Sequence, residues 1–410
     1  MDDRPAPERA SGAPALAAVL TATFFVRFAF GITIAVFAAY VTQRSTGLSG
    51  SDVGTAGLVS ALAPVGEFTT VLLSGMAADR WGRFGVLFAG MAGAAVLFVA
   101  IASTRSVAAL GAANLAFGVA SGAILAASLA VVAERAGADE RGYEMGRFDA
   151  VNLFGWVAGF AFGLGLEELL PNRRLGLVFL LGATAIGVGL LASAMRLGRQ
   201  ALERRRAAFH PRAIVRAAFR RTVLVVTLPW LAIYSLLGTA LAFLSTSAGG
   251  IGIRPAYLAL AIAGGGSVLV VTQPYFGRLA DRYGRTRMMG TGTAGFVLVL
   301  VCAALLVRYG VVLPVLAILG VGIVLALTYG PAALAALADL SLAEGRATTM
   351  AIYSLTISLG MVVGLFASTG LYSRFGVDGL YPYFGAIATT LVALALVRWR
   401  EARAATIPVR

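Results

Sequence analysis

Gly75-Met-Ala-Ala-Asp79-Arg80-Trp-Gly82-Arg83 is a short charged stretch that lies between two long apolar segments. The chain repeats it 202 residues later, again between apolar segments, as Gly277-Arg-Leu-Ala-Asp281-Arg282-Tyr-Gly284-Arg285. The offset is about half of the 410 residues. A charged turn that recurs at half-length in an apolar chain predicts two homologous membrane bundles joined head to tail.

A second set of positions matches at a slightly different offset. These pairs are 205 residues apart: Glu134 with Asp339, Arg141 with Arg346, Met145 with Met350, Gly155 with Gly360, and Gly159 with Gly364. A small difference in loop length accounts for the change of offset. Each half is therefore predicted to be one six-helix unit, with solute bound between the two units.

The composition excludes most soluble and catalytic classes. Hydrophobic residues make up 59% of the chain and charged residues 13%, whereas soluble domains carry about 25% charged residues. With one histidine and one cysteine, Cys302, the chain offers no metal-ligand cluster and no internal disulfide. All 33 basic residues are arginine, so a lysine-containing P-loop is excluded. We expect a membrane protein that is not an enzyme and needs no cofactor or metal.

A helix needs about 20 mainly apolar residues to cross a bilayer. The sequence has twelve such runs: 14–42, 52–76, 85–104, 107–133, 145–169, 174–196, 222–247, 255–277, 288–308, 311–337, 348–372 and 381–398. The start of the chain lacks the basic and apolar regions of a cleavable signal peptide, so the first run is expected to direct insertion.

The arginines predict the orientation. An even number of spans places both termini on one side, and 25 arginines fall on that side, against seven on the other and Arg27 within a span. This asymmetry predicts a multi-pass protein of the inner (cytoplasmic) membrane with both termini in the cytoplasm. We interpret the basic charge as setting the orientation in the membrane and contacting anionic lipids, not as binding nucleic acid.

The predicted domains are an N-terminal bundle (1–197), a basic linker (198–221) and a C-terminal bundle (222–410). The segment from Arg196 to Arg221 holds nine arginines and one acidic residue. We expect it to lie on an anionic leaflet. A regulatory or partner-binding role is the alternative.

The repeated motif, the twelve spans and the central basic segment together resemble the major facilitator superfamily over nearly the whole chain. The resemblance implies an all-α fold of two parallel-repeat six-helix bundles and a monomer. It also implies secondary transport of a small molecule by alternating access, in which the two halves rock about a central cavity. The motif is uninformative about the substrate.

The resemblance further implies a cytoplasmic latch that stabilises the outward-open state. Asp79 is expected to accept hydrogen bonds from the N-terminus of the eleventh helix, whose partial positive charge favours an anion. Gly75 and Gly82 permit a close helix approach and a tight turn. Arg80 and Arg83 are expected to pair with acids of neighbouring loops. The other latch residues are Glu134, Arg141, Glu144, Asp149, Gly277, Asp281, Arg282, Gly284 and Arg285.

Two charges stand out within the predicted spans, because an ionised group at the bilayer centre costs at least about 2.5 kcal/mol. Arg27 and Glu67 lie roughly 20 and 18 Å from the same face, so an ion pair between them is predicted. The pair is either a structural salt bridge or a coupling site. In the second reading Glu67 carries a proton, and Arg27 holds an anionic substrate group or keeps Glu67 ionised. The second half has no equivalent pair, which places coupling in the N-terminal bundle.

Seven further polar or aromatic residues are candidates for the substrate cavity. They are Asn114, Asn152, Trp156, Tyr234, Gln273, Tyr275 and Tyr329. For each, a hydrogen bond in helix packing is the alternative.

The sequence departs from the proton-coupled drug antiporters of the superfamily. Those proteins resemble one another in an arginine in the fourth helix and a Gly-Pro in the fifth. Here Asn114 stands at the first position and Gly159-Phe160 at the second. The predicted function is proton-coupled efflux of a small organic solute, because the cavity helices are mostly apolar and aromatic. The alternatives are an organic-anion carrier that uses Arg27 and a non-transporting sensor on the same fold.

Overall fold

The computed structural model describes residues 6–44, 52–137, 139–170, 174–197, 212, 215–216, 219–251, 255–309, 313–341 and 346–405. These residues form α1 (Ala6–Arg44), α2 (Asp52–Trp81), α3 (Arg83–Ser103), α4 (Val107–Arg135), α5 (Arg141–Leu169), α6 (Gly176–Leu197), α7 (Arg221–Ile251), α8 (Pro255–Tyr283), α9 (Arg285–Tyr309), α10 (Leu313–Ala326), α11 (Tyr329–Leu340), α12 (Arg346–Phe375) and α13 (Leu380–Ala405). A short 3₁₀ turn, Gly376–Gly379, joins the last two.

The predicted all-α membrane fold is confirmed. Within the described residues, ten helical segments are long and apolar enough to cross a membrane. One of the ten is formed by α10 and α11 together, from Leu313 to Leu340. Most of the predicted linker 198–221 lies outside the described residues, so the domain boundaries stay predictions.

The tenth predicted span, 311–337, is not one continuous helix. It is interrupted between α10 and α11, at Leu327 and Thr328. Pro331 explains the interruption, because it has no N–H for the carbonyl of Leu327 and its ring would collide with that carbonyl in a continuous helix. The Thr328 hydroxyl stabilises the break by donating to the carbonyls of Met288 in α9 and Leu325 in α10, at 2.9 and 2.8 Å.

The helices form two bundles with the same internal arrangement. In the first, α5 packs against α1, and in the second, α12 packs against α7. The two bundles meet along two seams, one between α2 and α12 and the other between α5 and α8. The turns that join α2 to α3 and α8 to α9 lie at one end of the molecule, which we call the motif face. Gly82 and Gly284 form these turns with φ of 96° and 93°, a conformation that other residues rarely adopt.

The second repeat offset corresponds to a shared helix crossing. A β-carbon on Gly159 would lie 1.9 Å from the carbonyl oxygen of Phe28 in α1. A β-carbon on Gly364 would lie 2.0 Å from the carbonyl oxygen of Ser235 in α7. In both halves the helix backbones touch at a position where any side chain would collide. The repeat is therefore conserved between the halves in packing as well as in sequence.

Asn114 compensates for a proline in the neighbouring helix. Pro64 lies inside α2 and cannot donate to the carbonyl of Ser60, one turn earlier. The Asn114 side-chain amide donates to the carbonyls of Val59 and Ser60, at 2.9 and 3.2 Å. The structure therefore gives Asn114 the packing role that was the alternative to a substrate contact.

We expect Asn114→Ala to lower the free energy of unfolding by about 1 kcal/mol, because two partly buried carbonyls lose a donor. Thermal unfolding of the purified protein measures the change. In a Pro64→Ala background the N–H of residue 64 can donate to the carbonyl of Ser60. Asn114→Ala should then lower the free energy of unfolding by less. Equal losses in the two backgrounds would contradict the compensating role.

Candidate functional site

Asp79 joins the two bundles at the motif face. Its carboxylate accepts hydrogen bonds from the backbone N–H groups of Ala347 and Thr348, at 3.1 and 3.0 Å, and from the Thr348 hydroxyl at 2.8 Å. These donors are the first turn of α12, in the opposite half. A carboxylate at a helix N-terminus satisfies N–H groups that have no partner within the helix and interacts favourably with the helix dipole.

Asp281 makes the equivalent contact from the other half. Its two carboxylate oxygens accept from the backbone N–H groups of Gly142 and Tyr143, at 2.9 and 3.0 Å, at the start of α5. Each half therefore caps a helix of the other. Gly277 permits this approach, since a β-carbon there would lie 2.2 Å from the carbonyl oxygen of Gly142. Gly75 has the corresponding role in the first half, since a β-carbon there would lie 2.8 Å from the Cα of Thr348.

Arginines and acids surround both caps. Arg83 pairs with Glu134 and lies 3.6 Å from Asp79. Arg285 pairs with Asp339 and lies 3.7 Å from Asp281. Each half therefore contains the same two contacts, and none of the four joins one half to the other.

One ion pair of the motif face joins the halves directly. Arg141, at the start of α5, pairs with Asp339, at the end of α11. Among the described residues the matching pair, Arg346 with Glu134, is not formed, and Arg346 donates to Ser341 instead, at 3.2 Å. Asp339 was not assigned to the latch from the sequence, although it matches Glu134 in the repeat.

The remaining predicted latch residues lie at the edge of this network. The exposed Arg282 guanidinium packs over the ring of Tyr283, 5.4 Å from its centre. Glu144 pairs with Arg147 on its own helix, 3.0 Å away. Arg80 is partly exposed at the end of α2.

The predicted Arg27–Glu67 ion pair is wrong. No ion pair of the described residues joins them, because α4 packs against both α1 and α2 and receives Arg27. The Arg27 side chain is 8% exposed, and its Nη1 lies 3.5 Å from the Ser121 hydroxyl of α4. Its guanidinium also lies 5.2 Å from the ring centre of Phe30.

Glu67 points across the α2–α12 seam. It is 2% exposed, and the buried Ser354 hydroxyl of α12 donates to its Oε1. Gly122 of α4 leaves room for its side chain, since a β-carbon there would lie 3.1 Å from Glu67 Cγ. Glu67 is thus a buried carboxylate whose partner is a neutral hydroxyl of the other half. No sequence signal marked Ser354.

The prediction that Asp149 belongs to the motif-face latch is also wrong. Asp149 is 5% exposed and lies at the centre of the interface between the halves. The Tyr353 hydroxyl of α12 donates to its Oδ1 at 3.5 Å, and Asn152 hydrogen-bonds to the same carboxyl group. Asp149 lies eight residues into α5, about 12 Å along the helix from its start at the motif face.

The other cavity candidates divide into three groups. Gln273 and Asn152 are buried at the interface near Asp149, and Tyr234 is half-buried beside Tyr353. The Tyr329 hydroxyl donates to the carbonyl of Val226 near Pro229, at 2.7 Å, which is a packing role. The other two are not among the hydrogen-bond partners of Asp149 in the described residues: Tyr275 is 61% exposed on the outside of α8, and the half-buried Trp156 stacks on the buried Phe160.

The comparisons with known proteins agree with this architecture. The family model of the Major Facilitator Superfamily matches residues 19–250 and 234–409. The chain belongs to the major facilitator superfamily. It is therefore a multi-pass membrane transporter and not an enzyme, and the family implies secondary transport of a solute.

A solved structure gives the same result for the fold. The human organic anion transporter MFSD10 (TETRAN) superposes with a TM-score of 0.74 at 18% sequence identity. The match covers 96% of this chain and 100% of that one. At this identity the likeness concerns the major facilitator fold alone. No curated protein matches the chain in sequence.

We expect Asp79→Asn to open the motif face, because the neutral amide is a weaker acceptor for the N-terminus of α12. The loss of a charge-assisted hydrogen bond predicts a shift of the opening equilibrium by about tenfold or more. A cysteine at Ala351, which is buried beside Gly75, reports the opening as faster labelling by a maleimide in a Cys302→Ser background.

The matched control is Asp378→Asn, at an exposed aspartate in the 3₁₀ turn beyond the far end of α12. It should label at the unmodified rate. Equal labelling rates for Asp79→Asn and the control would overturn the latch.

Proposed function

We propose that the protein is a proton-coupled secondary transporter that exports a small organic solute across the cytoplasmic membrane. The observation that carries the proposal is Glu67, a buried carboxylate that contacts a hydroxyl of the opposite half and, among the described residues, forms no ion pair. An intramembrane carboxylate without a cationic partner is expensive when ionised. It is therefore suited to bind and release a proton during transport.

The larger number of arginines on the side of the two termini supports a cytoplasmic position for the termini and for the motif face. Asp79, Asp281 and the Arg141–Asp339 pair hold that face closed. The conformation described here is then closed toward the cytoplasm. Alternating access would break these contacts and rock the halves about the centre of the interface.

The position of Glu67 suggests how a proton is coupled to that movement. An ionised Glu67 is a strong acceptor for the Ser354 hydroxyl, so it holds α2 against α12. A protonated Glu67 is a weaker acceptor and has no charge to stabilise. Protonation would thus loosen the seam that must separate when the motif face opens.

Aromatic side chains near the interface favour an amphipathic solute. The ring of Trp230 packs edge-to-face against Tyr329 and Tyr353, with centroids 5.6 and 4.5 Å away. Such walls suit the apolar part of a solute, and a few polar groups would fix its orientation. Beyond this solute and protons, we expect contact with membrane lipids, a monomer, and no role in nucleic-acid binding.

An organic-anion carrier is the second candidate function. Arg27 favours it, because the guanidinium is buried and no carboxylate of the described residues forms an ion pair with it. A buried cation of this kind would bind a carboxylate or phosphate strongly. The similarity to a human organic anion transporter is consistent with this candidate.

Thermal stabilisation by ligands of different charge separates the two candidates. Carboxylates and inorganic phosphate should raise the unfolding temperature of an anion carrier, and Arg27→Ala should weaken their binding about tenfold or more. Tetraphenylphosphonium or neutral amphiphiles should instead stabilise an exporter of amphipathic solutes. Stabilisation by anions that survives Arg27→Ala would exclude Arg27 as the anion site.

Glu67→Gln tests the proton coupling in proteoliposomes with a solute that the purified protein binds. Transport driven by a pH gradient should fall to the leak of empty liposomes, while solute exchange at equal pH continues. Glu167→Gln, on α5 away from the seam, is the control and should retain driven transport. Driven transport by Glu67→Gln would show that Glu67 is structural, and a lack of any flux by the unmodified protein would favour a sensor.

A further inference from the structure

Three hydrogen-bond donors converge between α1 and α4. Thr23 and Arg27 of α1 and Ser121 of α4 line one narrow gap, and all three are more than nine-tenths buried. The Thr23 hydroxyl has no hydrogen-bond partner in the described part of the chain, and Arg27 reaches Ser121 only at 3.5 Å. A guanidinium and two hydroxyls without an acidic partner form an environment for an anionic group.

Three hydrogen-bond acceptors converge between α5 and α8. They are the carboxylate of Asp149 and the amide oxygens of Asn152 and Gln273, all more than nine-tenths buried. Neither amide oxygen has a hydrogen-bond partner. Buried polar atoms are almost always paired in proteins, so two unpaired acceptors beside a carboxylate call for a donor. An ammonium group, which donates three hydrogen bonds and carries a positive charge, meets that requirement.

Gly330 of α11 shows that two of these acceptors, the carboxylate of Asp149 and the amide oxygen of Gln273, face a common point. A β-carbon on Gly330 would lie 3.0 Å from Asp149 Oδ2 and 3.5 Å from Gln273 Oε1. The absence of a side chain at Gly330 leaves this point to be approached by another group. Because Gln273 belongs to the second half and Asp149 to the first, a ligand held by both would also bridge the halves.

The two clusters lie within the span of one small molecule. Arg27 Cβ lies beside Gly155, since a β-carbon on that glycine would be 3.0 Å away. Gly155 is six residues from Asp149 on α5, about 9 Å along the helix. The Arg27 side chain shortens this distance, and its charge interacts with Asp149, Tyr234 and Tyr353.

A structural salt bridge would bring the two charges together. Arg27 and Asp149 are both buried, and no ion pair joins them in the described residues. Separated buried charges are costly, whereas direct pairing recovers part of that cost. Their separation, with donors around one and acceptors around the other, is better suited to a molecule that carries both opposite charges.

We propose that the transported solute is a zwitterion whose acidic group binds Arg27, Thr23 and Ser121 and whose ammonium group binds Asp149, Asn152 and Gln273. The inference rests on the proposed transport function and names its substrate class. The aromatic rings of Trp230 and Tyr353 would contact the apolar part of the solute. In the closed conformation the Arg27 gap is narrow, so the solute would enter when the halves rock apart.

Calorimetric titration of the purified full-length protein tests the substrate class. The probes are amino acids with small, aliphatic and aromatic side chains, each with its amide, which lacks the acid, and its N-acetyl form, which lacks the amine. At least one free amino acid should bind, about tenfold or more tighter than both of its derivatives. Equal or tighter binding of either derivative, or no binding by any free amino acid, overturns the proposal.

Variants assign each end of the probe. Arg27→Gln should remove the preference for the free amino acid over its amide, and Asp149→Asn should remove the preference over the N-acetyl form. Gly330→Ala places a methyl group between the acceptors and should weaken binding of the free amino acid. Glu167→Gln, on the same helix as Asp149, should bind as the unmodified protein does.

Asp149→Asn preserves side-chain size, and Arg27→Gln removes the charge and shortens the side chain; thermal unfolding of both variants without ligand checks that they fold. If Arg27→Gln and Asp149→Asn fold but keep both preferences, the clusters are not the binding site. If free amino acids bind at the two clusters but are not transported by a proton gradient, the transport proposal is overturned and the zwitterion site stands. If only the N-acetyl forms are transported, the zwitterion proposal is overturned and the transport proposal stands.

Discussion

The structure depends on a carboxylate of each half that caps a helix of the other. Asp79 accepts from the first turn of α12, and Asp281 accepts from the first turn of α5. Two charge-assisted contacts of this kind stabilise the closed motif face, yet each consists of a few hydrogen bonds that can re-form with water. The halves can therefore separate there without unfolding either bundle, which the rocking motion of a transporter requires.

The closed seams bring polar groups of the two halves together at membrane depth. Across the α2–α12 seam the contact is between Glu67 and Ser354, and beside the α5–α8 seam Asp149 contacts Tyr353 of α12. Both contacts cross the boundary that opens during alternating access. A proton or a charged solute at either carboxylate would change the interaction between the halves. Coupling of binding to movement thus has a physical basis in these two contacts.

The two wrong predictions about charges have the same cause. Arg27 and Glu67 were paired because their depths match, and Asp149 was assigned to the motif face because it is near a helix end. Depth along a helix follows from residue counting, at 1.5 Å per residue. The direction in which a side chain leaves the helix, and the neighbour that it meets, depend on how each helix is rotated in the bundle. The packing of α4 against α1 and α2, with its glycines against Glu67, decided the partners of Arg27 and Glu67. The approach of Tyr353 from α12 decided the partner of Asp149.

The sequence by itself determined the class of protein, the positions of the helices and the internal repeat. Long apolar runs must be helices in a bilayer, because backbone groups find no other hydrogen-bond partners there. The motif also predicted that Asp79 caps a helix of the other half, since the charge of a helix terminus is a local property, whereas the matching cap by Asp281 was seen only in the structure. Only the tertiary structure decided the partners of Arg27, Glu67 and Asp149 and the packing role of Asn114. These depend on contacts between residues far apart in the chain, which hydropathy and spacing do not encode.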